Sequence, residues 1–238
     1  MMVSPLMRRL ADAIDRSAPI APGSGVDAIA ADDRLLATAT TAPLVRLWTN
    51  QQCLVTTRRL ARHPDFAAAA DISEKGGWPV HVRASGGTTV VHRPGILNVS
   101  LAMHAPPGAT DIKHAYQPLV ALIVRACRRL GLDPTTGACR GSYCDGAFNL
   151  GIDGRKFTGT AAIVRRAGGG IVWLSHAVIT VDGDPAADIA AITRFERALG
   201  LDVSYDARVH TTLQREYARS SARQAGSAAT PAAAASCN

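Results

Sequence analysis

The sequence predicts an α+β fold, a mixed β-sheet flanked by helices, and three observations point to it. Runs of apolar/polar alternation such as Leu44-Val45-Arg46-Leu47-Trp48 and Ile96–Met103 mark strands. Those strands come in blocks with tight turns inside them, Asp153-Gly154 being a strong two-residue hairpin signal. Helical stripes separate the blocks instead of alternating with single strands, which favours a mixed sheet over a doubly wound parallel one. With 238 residues, 47% of them hydrophobic, the chain can bury one large core.

The elements follow in order. Residues 1–24 read as a leader, with a short helix around Leu6–Arg16 broken by Ala18-Pro19-Ile20-Ala21-Pro22-Gly23. Ile29, Leu35 and Leu36 share a face, which predicts a helix over Val26–Thr38. Strands follow at Leu44–Trp48 and Cys53–Thr57, then a short Ala-rich helix over His63–Ala70 opening at Pro64. Val80–Arg83, Thr88–His92 and Ile96–Met103 read as strands, the first two joined by Ser85-Gly86-Gly87. Leu119, Leu122, Ile123 and Ala126 stripe a long helix, roughly Thr110–Leu130, with Gly131 as its C-terminal stop. Four strands are expected at Gly137–Tyr143, Ala147–Ile152, Phe157–Arg166 and Ile171–Val181. A last helix spans Pro185–Leu199 and stops at Gly200. The catalytic-sized domain is placed at 25–218, and the Ser/Ala-rich segment 219–238 reads as a disordered tail.

Composition excludes several classes. The formal net charge is +7, but the arginines are scattered with few rings nearby, unlike a nucleic-acid track, which interleaves basic and stacking residues. A basic surface of this kind suits an acidic protein partner. No run approaches the roughly 18 apolar residues of a membrane helix, and charges interrupt the N-terminal segment, so no signal peptide is expected. The five cysteines are odd in number and form no C-x-x-C pair, which predicts reduced thiols, a cytoplasmic protein and no structural metal.

Two constellations carry chemistry. Arg83-Ala84-Ser85-Gly86-Gly87-Thr88-Thr89-Val90-Val91-His92-Arg93-Pro94-Gly95 combines a cation with a glycine pair. Such a turn either cradles a phosphate on its backbone N–H groups or is a plain hairpin link, and spacing alone leaves both open. The second runs from Gly141-Ser142-Tyr143-Cys144-Asp145 through Asn149 to Lys156, with Phe157, Gly159 and Thr160 behind it. Those flanks turn the lysine toward a crowded pocket, where a fixed ammonium suits negative charge developing in an acyl-transfer transition state.

In this order, Arg83…Ser85-Gly86-Gly87…His92 followed by Asn149-Leu150…Gly154-Arg155-Lys156…Gly159-Thr160-Ala161 resembles the biotin/lipoate ligase catalytic domain, and most closely the lipoate–protein ligase A family. Leu47-Trp48…Cys53-Leu54-Val55 and Leu174-Ser175-His176-Ala177-Val178 extend the resemblance over about residues 25–200. It implies that ATP, with Mg2+, and lipoate give lipoyl-AMP, whose acyl group passes to a lysine of a carrier domain. By resemblance, Lys156 is the catalytic lysine holding the acyl carbonyl and phosphate. Arg83, Ser85, Gly86, Gly87 and Thr88 form the wrapping loop, and His92, Asn98, Gly159, Thr160 and His176 line the pocket. Asp145 and Asn149 lie near the nucleotide. The implied partner is a lipoyl domain of an oxoacid dehydrogenase complex or a glycine-cleavage carrier protein. The chain ends without the C-terminal accessory domain of long ligases, so a separate accessory subunit is a further expectation.

The pattern also departs from the ligases. Thr88 stands where many have a third glycine, and His92-Arg93-Pro94-Gly95 is closer to the octanoyltransferase branches. The alternative expectation is therefore an octanoyl or lipoyl transferase that takes a carrier-bound acyl group without ATP, which requires a cysteine nucleophile. Cys144 is the candidate. Thr180 falls where one cysteine-dependent branch keeps its nucleophile. His176 is either a general base or a structural histidine of an apolar strand. A third expectation is a non-catalytic paralogue that binds lipoyl-AMP.

Overall fold

The computed structural model describes residues 3–106, 108–109, 111–167 and 170–228. Its main sheet has seven strands in the order β1 (Ile20–Pro22), β2 (Leu44–Thr49), β6 (Ile96–His104), β10 (Gly170–Thr180), β9 (Arg155–Ala167), β8 (Leu150–Ile152), β7 (Thr135–Thr136). β1 joins β2 in parallel and all other neighbours are antiparallel, so the sheet is mixed as expected. A second sheet sets β3 (Cys53–Thr57) between β4 (Val80–Arg83) and β5 (Val90–His92). The helices are α1 (Pro5–Ile14), α2 (Gly25–Ala37), α3 (Phe66–Lys75), α4 (Lys113–Arg129), α5 (Pro185–Ala198) and α6 (Leu213–Ala228).

Alternation along β6 and β10 decides which side becomes the site. Leu97, Val99, Leu101, Ala177 and Ile179 are buried against α1 and α4, in one cluster with Leu10, Leu119 and Ile123. On the opposite face the register sets His176 beside Ser100 and Val178 beside Asn98. That polar face is covered by α2 and the small sheet. At the far side of the small sheet α5 packs Ile192, Phe195 and Leu199 onto Leu54 and Val91. Arg93 fastens this layer with a two-pronged ion pair to Asp188, both contacts 2.7 Å.

Several elements differ from the sequence expectation. Residues 5–22 do not stand apart: Ser4 caps α1, whose Leu6, Met7 and Leu10 are buried, and Ile20–Pro22 pairs with β2. Their apolar spacing is a core stripe. The Ser85-Gly86-Gly87 link is not a hairpin, because β4 runs parallel to β3 and β5 antiparallel to it on the other side, so the link crosses the end of β3. The helix expected at His63–Ala70 runs from Phe66 to Lys75 instead. Gly137–Tyr143 forms no strand, since Gly141 and Cys144 take left-handed backbone (φ 90° and 45°) that no strand accommodates. Leu213–Ala228 is helical, overlapping the expected tail, and Ser220 donates to the Gly131 carbonyl. Its Ala, Arg and Gln content favours helix despite the low hydrophobicity. Residues 229–238, with Cys237, lie outside the described residues. No helix among the described residues is long and apolar enough to cross a membrane.

Candidate active site

Between the polar face of the main sheet and the small sheet lies a narrow cavity that opens to solvent. Ile29, Trp48, Val55, Val90 and Val178 give it apolar walls, and Arg83, His92, Asn98, Cys144, His176 and Asp32 supply its polar points. Such a pocket suits an aliphatic chain ending in a polar reactive group.

Cys144 alone among the described cysteines has its thiol held below its ordinary value. Burial alone pushes the thiols of Cys53 and Cys127 up to about 12. Burial pushes Cys144 up too, but the Arg83 guanidinium, the Lys156 ammonium and the Thr88 N–H outweigh it and hold the thiol below its ordinary value. The Thr88 N–H donates to Sγ over 3.5 Å. The residue also has left-handed backbone, with φ 45°, in a loop that turns the sulfur into the cavity. Gly87 makes room for it: with φ 102°, a Cβ there would lie 2.9 Å from the Cys144 sulfur and 3.1 Å from Arg83 Nη2. Gly86 has nothing within 4 Å of a Cβ position, so its backbone faces open space.

The cations expected to face a phosphate are engaged with backbone. Lys156, 3% exposed, donates Nζ to the carbonyls of Tyr143 and, at 2.9 Å, Cys144. Burial lowers its ammonium pKa, and the neighbouring Cys144 and Asp145 offset this only in part. Arg83 donates to the carbonyls of Val55 (2.8 Å), Gly86 (3.0 Å) and Thr88 (2.7 Å), knitting its own loop. Asn149 braces the Cys144 loop from below: Nδ2 donates to the Cys144 carbonyl at 3.0 Å, and Oδ1 accepts from Thr160 N–H at 3.0 Å. Asp145 accepts from Cys139 N–H at 2.7 Å and shapes the outside of the same loop. Gly159 and Thr160 line the cavity floor.

The remaining predicted residues form its far wall. His92 is stacked edge-on to Trp48 at 5.3 Å, and burial together with the Arg83 charge drives its pKa to about 3, so the ring is neutral. Asn98 donates to the Trp48 carbonyl, while its buried Oδ1 and the Nε of Arg83 have no partner. His176 hydrogen-bonds Ser85 at 2.8 Å and faces Asp32 at 3.4 Å. Of the predicted residues, Arg83, His92, Asn98, Cys144, Gly159, Thr160 and His176 line the cavity, Ser85, Gly86, Gly87, Thr88, Asn149 and Lys156 stand behind that lining against Arg83, Cys144 or His176, and Asp145 bonds Cys139 instead. Sequence reasoning missed Asp32, buried on α2 by its pairing with Arg46 at 2.7 Å. A charge within an otherwise amphipathic helix gave no signal beyond an ordinary exposed position. No cluster of three or more His, Cys, Asp or Glu able to hold a metal occurs among the described residues.

Comparisons agree with this geometry. The model of the "Lipoyl protein ligase A/B catalytic domain" matches residues 24–216. An octanoyl-[GcvH]:protein N-octanoyltransferase of Anoxybacillus flavithermus is 35% identical over 158 residues, 66% of this chain and 55% of that protein. The corresponding transferase of Bacillus velezensis is 32% identical over 68% of this chain, again 55% of its own length. The chain thus spans little more than half the length of these transferases. A protein of Cupriavidus necator is 37% identical over 69% of this chain and 70% of its own. Among solved structures, a lipoate–protein ligase A bound with ATP superposes with TM-score 0.60 at 20% identity, covering 87% of this chain and 84% of that one. The bipartite ligase of Thermoplasma acidophilum gives 0.58 at 20%, covering 86% and 79%. Such identities establish the fold alone. The chain belongs to the lipoyl protein ligase A/B catalytic domain family.

Proposed function

We propose that the chain is a cysteine-dependent acyltransferase that moves an octanoyl- or lipoyl-type chain from an acylated carrier protein to a lysine of another carrier domain, without ATP. The observation that carries this reading is Cys144. It is a half-buried thiol on the lining of a cavity with apolar walls, held below its ordinary pKa by Arg83 and Lys156. Structural thiols in the same protein move the opposite way. The relatives named octanoyl-[GcvH]:protein N-octanoyltransferase favour the same class and suggest a glycine-cleavage-type carrier as donor.

In this reading the Cys144 thiolate attacks the acyl carbonyl carbon, the bond to the donor's nitrogen or sulfur breaks, that leaving atom takes a proton from solvent, and a thioester remains on Cys144. The acceptor lysine then attacks that thioester, and the C–S electron pair returns to sulfur. The apolar walls hold the chain. Lys156 and Asn149 fix the backbone carbonyl of Cys144, so Lys156 acts by positioning the loop and by its charge. The ligase reading instead needs Lys156 and Arg83 on a phosphate. Here both spend N–H groups on backbone carbonyls, Arg83 on those of Val55 and Thr88 and Lys156 on that of Cys144, which favours the transferase.

The test compares two mixtures by intact mass of an apo carrier domain: lipoate with Mg-ATP, and an octanoylated carrier protein without ATP. Gain of an acyl group only in the second, lost in Cys144→Ala, supports the transferase. Gain only with ATP, persisting in Cys144→Ala, returns the assignment to the ligase, and no gain in either supports the non-catalytic binder.

A further inference from the structure

We propose that Asp32, His176 and Ser85 form a proton relay in which His176 takes the proton from the incoming carrier lysine, Asp32 acting as its positioning residue. This rests on the transferase reading above. The three side chains come from α2, β10 and the β4–β5 loop and meet at one point of the cavity wall. His176 Nε2 lies 2.8 Å from Ser85 Oγ, and Nδ1 lies 3.4 Å from Asp32 Oδ2.

The charge states fix the direction of the relay. Burial pushes the Asp32 carboxyl up, but the hydrogen bond and positive charge of His176, the hydrogen bond from Ser100 and the Arg46 charge hold it below its ordinary value. Its Oδ1 accepts from Arg46 at 2.7 Å and its Oδ2 from Ser100 at 2.9 Å. An ionised carboxylate only accepts, so the Nδ1 facing it carries the hydrogen, Nε2 is the free lone pair, and the Ser85 hydroxyl donates to it. An imidazole whose Nδ1 faces a carboxylate and whose Nε2 meets a hydroxyl on the cavity wall has the arrangement of a general base, the carboxylate orienting the ring and stabilising the imidazolium that forms. Arg83 and His92 face the same space, Arg83 as a cation that opposes a second resident charge.

The position matches the chemistry that deacylation requires. Ser85 and Thr88 are three residues apart on one loop. Thr88 holds the Cys144 sulfur and Ser85 holds His176, so nucleophile and base hang from the same short segment. His176, Asp32, Arg83 and Ile29 also line a surface cleft bordered by Val26, Arg58 and Ala84, so His176 stands where that cleft meets the cavity. A lysine arm arriving from solvent is an ammonium and has no lone pair. It gives one proton to His176 Nε2, the neutral nitrogen attacks the thioester carbon, and the second proton leaves as the C–S bond breaks and sulfur takes the electron pair. The amide nitrogen keeps one hydrogen, and the two protons pass through the relay to sulfur and solvent.

The test separates this role from the transferase reading itself. Cys144 is first acylated by an octanoylated carrier, and the acyl-enzyme is scored by intact mass. It is then discharged by an apo carrier domain or by hydroxylamine, an amine already neutral at pH 7. In His176→Gln the ratio of lysine-driven to hydroxylamine-driven discharge falls about 100-fold, the lower end of general-base contributions, with a smaller fall in Asp32→Asn. An unchanged ratio, with both rates slowed alike, overturns the relay and leaves His176 structural. Failure of the unaltered protein to acylate at all is a failure of the transferase reading. Should the variants not fold, the unaltered protein decides. With the relay, lysine-driven discharge is nearly flat between about pH 7.5 and 9.5, below the ordinary lysine pKa. A tenfold rise per pH unit over that range overturns it.

Discussion

Gly87→Ala perturbs the nucleophile without touching its sulfur chemically. The φ of 102° is a region that costs a residue with a Cβ about 1–2 kcal/mol. For a domain of this size that lowers Tm by about 2–8 °C, taking about 2–4 °C per kcal/mol. The new methyl would stand 2.9 Å from Cys144 Sγ and 3.1 Å from Arg83 Nη2, so one of them must move. Arg83 is anchored on three carbonyls, whereas the thiol is held by one long contact, so rotation of Cys144 away from Thr88 is the easier relief. That rotation takes the sulfur from the N–H and the guanidinium that hold its pKa down, and losing about 1.4 kcal/mol of such stabilisation moves the thiol titration up by about one pH unit. Alkylation of Cys144 by iodoacetamide across pH, read by intact mass, should shift to higher pH while the fold survives. An unchanged alkylation profile in a variant with the lowered Tm would refute the assignment of Gly87 and Thr88 to thiol activation.

Other consequences follow from the same geometry. Asn149→Ala removes both braces of the Cys144 loop and should cost about 1–3 kcal/mol of stability and slow acylation, measured by urea midpoint and single-turnover mass; a variant as fast and stable as the parent contradicts the bracing role. Arg93→Ala strands the buried Asp188 carboxylate and should destabilise by about 3–5 kcal/mol, a loss checked by chemical denaturation, with under 1 kcal/mol contradicting the ion-pair account. His92 and His210 are held neutral, at about 3 and about 4, far below a free histidine. The unfolded chain therefore binds these protons first, and stability should fall by about 1.4 kcal/mol per histidine per pH unit once pH drops below about 6.5, continuing until the folded values are reached. Urea midpoints that stay level from pH 7 to 5 would contradict this.

Much of this was legible in the sequence because period and turn chemistry are local. Strands β2, β3, β4, β6 and β10 and helices α2 and α5 lie within a few residues of their expected bounds. The Asp153-Gly154 turn is left-handed at both residues, as its sequence demands. What stayed hidden is long-range. Nothing local says that β4 pairs in parallel with β3, so a glycine pair between two strands read as a hairpin link. The segment Gly137–Tyr143, just before Cys144, reads as a strand in the sequence. Its actual path follows from Lys156, Asn149 and Gly141, each supplying a tertiary contact or a left-handed turn. The site residues were legible as types, but their protein partners were not: nothing local says that Lys156 on β9 donates to the loop that bears Cys144. Asp32 became visible only when α2 folded over β6 and β10.

The most direct test of the central claim is the intact mass of this protein after brief mixing with an octanoylated carrier protein in the absence of ATP. The account predicts one octanoyl adduct, mapped by peptide digestion to Cys144, removed by hydroxylamine and absent in Cys144→Ala. No adduct on the unaltered protein, together with ATP-dependent acyl transfer that survives Cys144→Ala, would contradict it.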